Sequence, residues 1–197
     1  MINPAFLHRK DELALIGEMV IGYGELDISF AMICGIALNH QWAVLDACQQ
    51  VRSETSRLDI AAALGKEAFE QMNLKNEFEI SLRQLKHCVK IRNQYAHSQW
   101  GDLEGSLKFL NPETAFERPL KQASWKIVDL KLLQQQEAFF ENTRAWVLWL
   151  EFALRSRELR RPLDLNRPPE RELPNLHSPL PTPGRIPKGK GSREQPQ

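Results

Sequence analysis

The chain is poor in the residues that mark disulfide-linked and zinc-binding domains. Its 197 residues include three cysteines, Cys34, Cys48 and Cys88, and no two of them form a C-x-x-C pair. An odd number of cysteines without paired spacing argues against a disulfide framework and against a zinc site. We therefore expect three buried free thiols, no metal and a cytoplasmic location.

Long uninterrupted apolar segments are also missing. The longest run, over residues 28–38, is about 11 residues long, which is too short to span a bilayer. Near the N-terminus, the charged residues 9–12 precede an apolar stretch that Glu18 and Glu25 interrupt, unlike a signal peptide. The sequence therefore predicts neither secretion nor a membrane partner.

No excess of charge of either sign is present, because 26 Lys and Arg residues oppose 25 Asp and Glu residues. The net charge of +1 supplies no overall basic field, so any RNA contact must come from a local patch. The glycine-rich phosphate loops of nucleotide-binding proteins and the nucleophile elbow of hydrolases are absent too. We expect no cofactor.

The chain is rich, by contrast, in apolar residues spaced at the helical period of 3.6. The predicted helices cover residues 12–38, 42–51 and 54–72, then a stretch that follows residue 76 and ends near 97–101 and, from residue 130, a stretch that ends in the basic run 155–161. Ser53, Asn76 and Asp129 are the predicted N-caps of the third, fourth and fifth helices, because their side chains can accept from free backbone N–H groups.

The first predicted helix contains four glycines, Gly17, Gly22, Gly24 and Gly35. Each costs up to ~1 kcal/mol relative to alanine in a helix interior. Such a cost is tolerable where another backbone packs closely against the helix. That backbone belongs either to the same chain or to a second copy across a dimer seam.

Two regions depart from the helical pattern. Residues 101–128 contain two glycines and two prolines, and their runs 106–110 and 125–130 alternate as strands do. From Pro162 onward the chain holds nine of its twelve prolines, and such a segment buries too little apolar surface to offset the entropy of ordering.

The predicted fold class is therefore all-α, a bundle of four to five helices with a small irregular or β insert and a disordered C-terminal tail. The helical domain covers residues 1–161, with the insert at about 101–128, and the proline-rich tail covers residues 162–197. A helical regulator recruited through this tail is a further, weaker interpretation.

One helix end combines a fixed cation, an amide and a titratable imidazole. Arg92, Asn93 and His97 lie within about one and a half turns, and Asn93 and His97 share a helix face as i and i+4. Cleavage of RNA by internal attack needs a base, an acid and a cation that stabilises the phosphorane. Histidine titrates near neutrality and arginine grips phosphate oxygens, while asparagine can orient either group.

Two copies of this motif across a symmetric dimer would supply two His97 imidazoles, one for each proton transfer. The sequence therefore favours a homodimer with a composite site. The same residues also suit an ordinary helix C-terminus, where a histidine complements the helix dipole and an asparagine satisfies backbone groups.

Further basic residues precede the motif on the same predicted helix. This basic strip consists of Arg83, Lys86, His87 and Lys90. It is either a local phosphate-binding surface for RNA or a solvated basic helix face.

Arg92-Asn93-x-x-x-His97 resembles the R-N-x-x-x-H motif of HEPN domains, which are helical bundles found widely in bacterial toxin and defence systems. The segment Tyr23-Gly-Glu-Leu-Asp27 is similar to the aromatic-x-x-Leu-acid pattern common in such proteins, and the resemblance covers roughly residues 10–160. It implies a metal-independent endoribonuclease that acts as a homodimer and leaves 2′,3′-cyclic phosphates.

In that resemblance Arg92 and His97 would be the catalytic pair, with Asn93 in support. The expected partners are RNA, a second copy of the chain and a cognate antitoxin or regulator, in a toxin–antitoxin or phage-defence setting. Some relatives only bind, so a non-catalytic helical module that dimerises and binds RNA or protein is the alternative.

Overall fold

The computed structural model describes residues 3–103, 105–111, 125–160, 162 and 165–178. In this part of the chain the α-helices are α1 (Lys10–Ala37), α2 (Gln41–Gln49), α3 (Glu54–Gln71), α4 (Lys75–Ala96) and α5 (Leu130–Glu158), after a single 3₁₀ turn at Pro4–Phe6. They form the predicted all-α bundle with a small β insert.

Helix α1 is the central element of the bundle, and it packs against each of the other four α-helices. Its Phe30 stacks on Phe78 of α4 at 5.6 Å between ring centroids, and Phe78 stacks on Phe69 of α3 at 4.4 Å. All three rings are buried. This aromatic column joins the three helices that carry the site described below.

Helix α1 is also long and apolar enough to cross a membrane when length and composition alone are considered. Its most apolar 18-residue window has a mean hydropathy of 1.5, and 50% of that window is buried inside the bundle. A buried core helix of a globular domain meets the same criterion, so this finding is weak evidence for a membrane span.

Two of the predicted helix caps are confirmed. The Ser53 hydroxyl accepts a hydrogen bond from the Ser56 N–H at 3.3 Å at the start of α3. The Asp129 carboxylate accepts from the Leu132 N–H at 2.8 Å at the start of α5. Each cap satisfies a backbone N–H that the first helical turn leaves free.

The predicted cap at Asn76 is wrong, because α4 already begins at Lys75. Leu74 occupies the cap position without a side-chain hydrogen bond, and it is buried at 4% exposure. Its N–H donates to the Phe69 carbonyl at 2.8 Å, while Asn73 turns the chain with a left-handed φ of 52°. Burial of Leu74 therefore determines where the helix starts.

The insert forms an antiparallel sheet in the order β1 (Gln99–Leu103), β2 (Ser106–Leu110) and β3 (Lys126–Ile127). The predicted strand 106–110 is confirmed. The run 125–130 contributes only two strand residues, Lys126 and Ile127, and Leu130 already belongs to α5. Residues 112–124 of the predicted insert lie outside the described residues.

The sheet closes the C-terminal end of α4. Tyr95 of α4 contacts Trp100 at 5.5 Å and Phe109 at 5.6 Å between ring centroids. Its hydroxyl donates to the Gln136 side chain of α5 at 2.6 Å. The last turn of α4, which carries the predicted motif, is therefore fixed by packing from two sides.

The structure differs from the predicted disorder at residues 165–178, here called the C-terminal strap. The indole N–H of Trp149 donates to the Leu165 carbonyl and that of Trp146 to the Pro169 carbonyl, both at 3.2 Å. At the other end, the Ser178 N–H donates to the Ile127 carbonyl at 2.9 Å. Residues 163–164 and 179–197 of the predicted tail lie outside the described residues.

The glycines of α1 differ in what surrounds them. A Cβ added at Gly35 would meet the backbone of Gln41 at 2.6 Å, so the intramolecular explanation holds there. At Gly17 and Gly24 no atom of the described chain lies within 4 Å of such a Cβ. The dimer seam stays a prediction for these two positions.

We expect Gly35→Ala and Gly24→Ala to change stability in opposite directions. Gly35→Ala forces the α1–α2 corner apart and should cost about 1–3 kcal/mol, as overpacking does. Gly24→Ala meets open space and should stabilise the helix by up to ~1 kcal/mol. Urea unfolding of both variants measures the difference, and a loss of stability for Gly24→Ala would favour a second copy packed on α1.

Candidate functional site

The predicted motif lies where α4 ends. Arg92 and Asn93 are half-buried in its last turns, and His97 is the exposed residue that follows the helix. The His97 N–H points back to the Asn93 carbonyl at 3.4 Å, so His97 caps the helix. Among the described residues, its imidazole has no hydrogen-bond partner and stays open to solvent.

The Arg92 guanidinium is held by an acid from another helix. Its Nη1 lies 3.0 Å from a carboxylate oxygen of Glu54, at the start of α3, and 3.0 Å from the Asn93 side-chain oxygen. Both side chains of the ion pair are largely buried, at 23% and 18% exposure. The Arg92 Nε is buried and has no hydrogen-bond partner in the described part of the chain.

A second ion pair lies one turn further along α3. Arg57 Nε contacts the Asp27 carboxylate of α1 at 2.7 Å, and its Nη1 donates to the Val51 carbonyl at 3.2 Å. Burial raises the pKa of Asp27, and the Arg57 charge opposes that shift. A buried carboxylate is stable only with such a partner, so this pair fixes α3 against α1.

Tyr23 lies one turn before Asp27 and faces the same region. Its hydroxyl is buried without a hydrogen-bond partner among the described residues. Burial is the largest cause of the raised pKa of Tyr23, and the negative charges of Asp27 and Glu54 raise this pKa further. Five residues are here called the interhelical charge cluster: Tyr23, Asp27, Glu54, Arg57 and Arg92. Through the two ion pairs of α3 this cluster connects segment 23–27 of α1 with the end of α4.

Sequence reasoning missed Glu54 and Arg57. A signal existed for the Asp27–Arg57 pair only, since Asp27 falls on the apolar period of α1 and a buried acid needs a cation. Which cation it meets depends on how α3 packs, and Arg57 is 30 residues away in sequence. The link from Glu54 to Arg92 left no local trace.

The basic strip is divided between two surfaces. Arg83 forms an ion pair with Glu170 of the strap, and the His87 Nε2 lies 2.7 Å from the Pro174 carbonyl. Burial lowers the pKa of His87, which favours its neutral form. These two predicted phosphate-binding residues are therefore engaged by the chain itself.

The other strip residues continue toward the motif. Lys86, Lys90, Asn93 and His97 follow one another at four- and three-residue steps, so they form one row along α4. Lys86 pairs with Asp59 of α3 at 2.6 Å, whereas Lys90 is exposed and lacks an ion pair among the described residues. A groove of about 350 Å³ lies beside the row, lined by Glu79, Leu82, Arg83, Lys86, His87, Lys90 and Leu173.

The cysteines offer no reactive thiolate. All three are free and buried, as expected. Burial raises the pKa of Cys88, the nearest to the motif, to about 12. Within residues 3–103, 105–111, 125–160, 162 and 165–178, no group of three His, Cys, Asp or Glu side chains could hold a metal ion.

Comparisons with protein-family models, with curated proteins and with solved structures found no match to this chain. The resemblance to HEPN domains therefore stays a prediction that rests on two short segments, Arg92–His97 and Tyr23–Asp27.

Removal of the Asp27 carboxylate tests the charge cluster. We expect Asp27→Ala to lower the free energy of unfolding by about 2–4 kcal/mol, because it leaves Arg57 partly buried and unpaired. Glu25→Ala is the matched control on the same helix. Its partner Arg144 lies 3.5 Å away and both side chains are exposed, so we expect a loss below about 1 kcal/mol. Equal losses in urea unfolding would contradict a stabilising role for the Asp27–Arg57 pair.

Proposed function

We propose that the protein is a metal-independent endoribonuclease of HEPN type that cleaves RNA by attack of a 2′-hydroxyl. The supporting observation is the helix end at which Glu54 holds Arg92 together with Asn93 while the His97 imidazole stays open to solvent. Lys86 and Lys90 lie in the same row of α4 as Asn93 and His97, and they would contact neighbouring phosphates.

In this proposal a neutral His97 imidazole accepts the proton of the 2′-hydroxyl. The 2′-oxygen bonds to phosphorus, the bond from phosphorus to the 5′-oxygen breaks, and a 2′,3′-cyclic phosphate forms. The leaving 5′-oxygen takes a proton from an imidazolium group. Arg92 would stabilise the charge of the phosphorane, since its Nη2 is not used by Glu54 or Asn93.

The reaction needs one base and one acid, and each described chain offers one imidazole at this site. A second copy of the chain would supply the other His97, so the proposed enzyme is a homodimer with a composite site. We place it in the cytoplasm, in a toxin–antitoxin or phage-defence system, where a cognate antitoxin or regulator restrains it.

The alternative is a non-catalytic helical module that dimerises and binds RNA or protein. One observation favours it, namely that the Glu54 carboxylate already neutralises Arg92. This alternative predicts that wild type cleaves no RNA and that binding survives His97→Ala.

Cleavage of total RNA in the presence of EDTA separates the two proposals. We expect wild type to cut RNA and His97→Ala to lose at least about 100-fold in rate, as expected for removal of a proton-transfer group. Arg92→Ala should lose a similar factor, because the phosphorane would lack its cation. Mapping of the product ends should show 2′,3′-cyclic phosphates.

His40→Ala is the matched control, since His40 is exposed on the turn before α2 and makes no side-chain capping bond. It should cleave as wild type does. Circular dichroism must show that all variants are folded. Equal cleavage by wild type and His97→Ala would overturn the catalytic role, and no cleavage by wild type would favour the binding module.

A further inference from the structure

The C-terminal strap lies between α4 and α5 as a bound peptide lies in a groove. Side-chain N–H groups of the two helices meet backbone carbonyls along the strap at 2.6–3.2 Å, and they belong to Trp149, Trp146, His87, Gln136 and Gln94. Contacts to main-chain carbonyls hold an extended backbone whatever its side chains are. The groove therefore recognises extended chain.

Two ion pairs of opposite polarity add recognition of side chains. Arg167 of the strap contacts Glu77 of α4 at 2.5 Å, and its guanidinium lies over the Trp149 ring at 5.5 Å. Three residues later, Glu170 of the strap pairs with Arg83 of α4. A peptide with the two charges exchanged would meet like charges at both places.

The spacing of these pairs fits an extended strap. Arg167 and Glu170 are three residues apart, which spans roughly 9–10 Å in an extended chain. Glu77 and Arg83 are six residues apart on α4, which spans about 9 Å along a helix. The two charge patterns therefore match in length as well as in sign.

With the strap in place, polar groups of the groove are buried. Gln136 is fully buried and Gln94 is 8% exposed, yet the amide N–H groups of both donate to strap carbonyls. The Glu77 side chain is 7% exposed and has Arg167 as its cation. Buried polar groups require such partners, and the strap supplies them along its length.

We propose that the groove between α4 and α5 is a peptide-binding site whose resident occupant is the strap, and that it accepts the same segment in trans. Its ligand is an extended, proline-containing peptide in which an acidic residue follows a basic one after three positions. This site uses neither Arg92 nor His97 and does not depend on the proposed ribonuclease activity.

The test displaces the resident strap in the full chain. The double variant Arg167→Glu, Glu170→Arg places like charges opposite Glu77 and Arg83. Both substituted side chains are more than half exposed, so the bundle core is untouched. The probe is a fluorescein-labelled synthetic peptide of residues 162–178, and its anisotropy reports binding.

We expect saturable binding of this peptide to the double variant and at least about tenfold weaker binding to wild type, whose own strap fills the groove at high effective concentration. Hydrogen exchange within residues 165–178 should be faster in the double variant than in wild type. The exposed pair Glu151–Arg155 on α5 supplies the control, because exchanging its two charges should leave wild-type behaviour.

A variant with four substitutions, which adds Glu77→Arg and Arg83→Glu to the double variant, restores opposite charges between strap and groove. It should bind the wild-type peptide at least about tenfold more weakly than the double variant does. Absence of saturable binding to the double variant would overturn the proposal, whether or not its strap is released. Equal binding to the variants with two and four substitutions would overturn it too, because the groove charges would then not recognise the peptide.

Discussion

One turn of α3 holds the arrangement of the site through two ion pairs that lead to different helices. Glu54 reaches Arg92 of α4, and Arg57 reaches Asp27 of α1. Charges that leave water are stable only when paired, so α3 is held at the position where both pairs form. Ser53 caps α3 immediately before Glu54 and thus determines where that turn begins.

The need to pair buried charges also determines which neighbour each face of α4 contacts. Arg92 is turned toward α3, while Arg83 and His87 are turned toward the strap. The row that ends in His97 stays at least partly open to solvent, and the sheet packed on Tyr95 keeps that end from fraying. A histidine at an open helix end can approach a large anionic substrate, whereas a histidine under the strap cannot. The proposed chemistry therefore requires His97, whereas the His87 imidazole has a structural role as a hydrogen-bond partner of the strap.

The sequence predicted correctly those features that depend on interactions between residues close together in the chain. The helices and the caps at Ser53 and Asp129 follow from spacing and side-chain hydrogen bonds within four residues. Asn76 failed as a cap because burial of Leu74, a tertiary effect, started the helix earlier. The strap was predicted to be disordered because its own composition cannot form a core. Its partners lie on α4 and α5, and the composition of a segment carries no information about the surface that receives it.

The site was predictable to the extent that its groups are neighbours in sequence. Arg92, Asn93 and His97 share one helix end, but Glu54 precedes Arg92 by 38 residues and only packing brings them together. This unpredicted carboxylate has a consequence for the proposed reaction. A partly neutralised arginine would attract a singly charged phosphodiester weakly and the more highly charged phosphorane more strongly. Because this attraction scales with the charge that Arg92 keeps, Glu54 would weaken the stabilisation of the phosphorane as well as the binding of RNA, and this is why the ion pair favours the non-catalytic alternative.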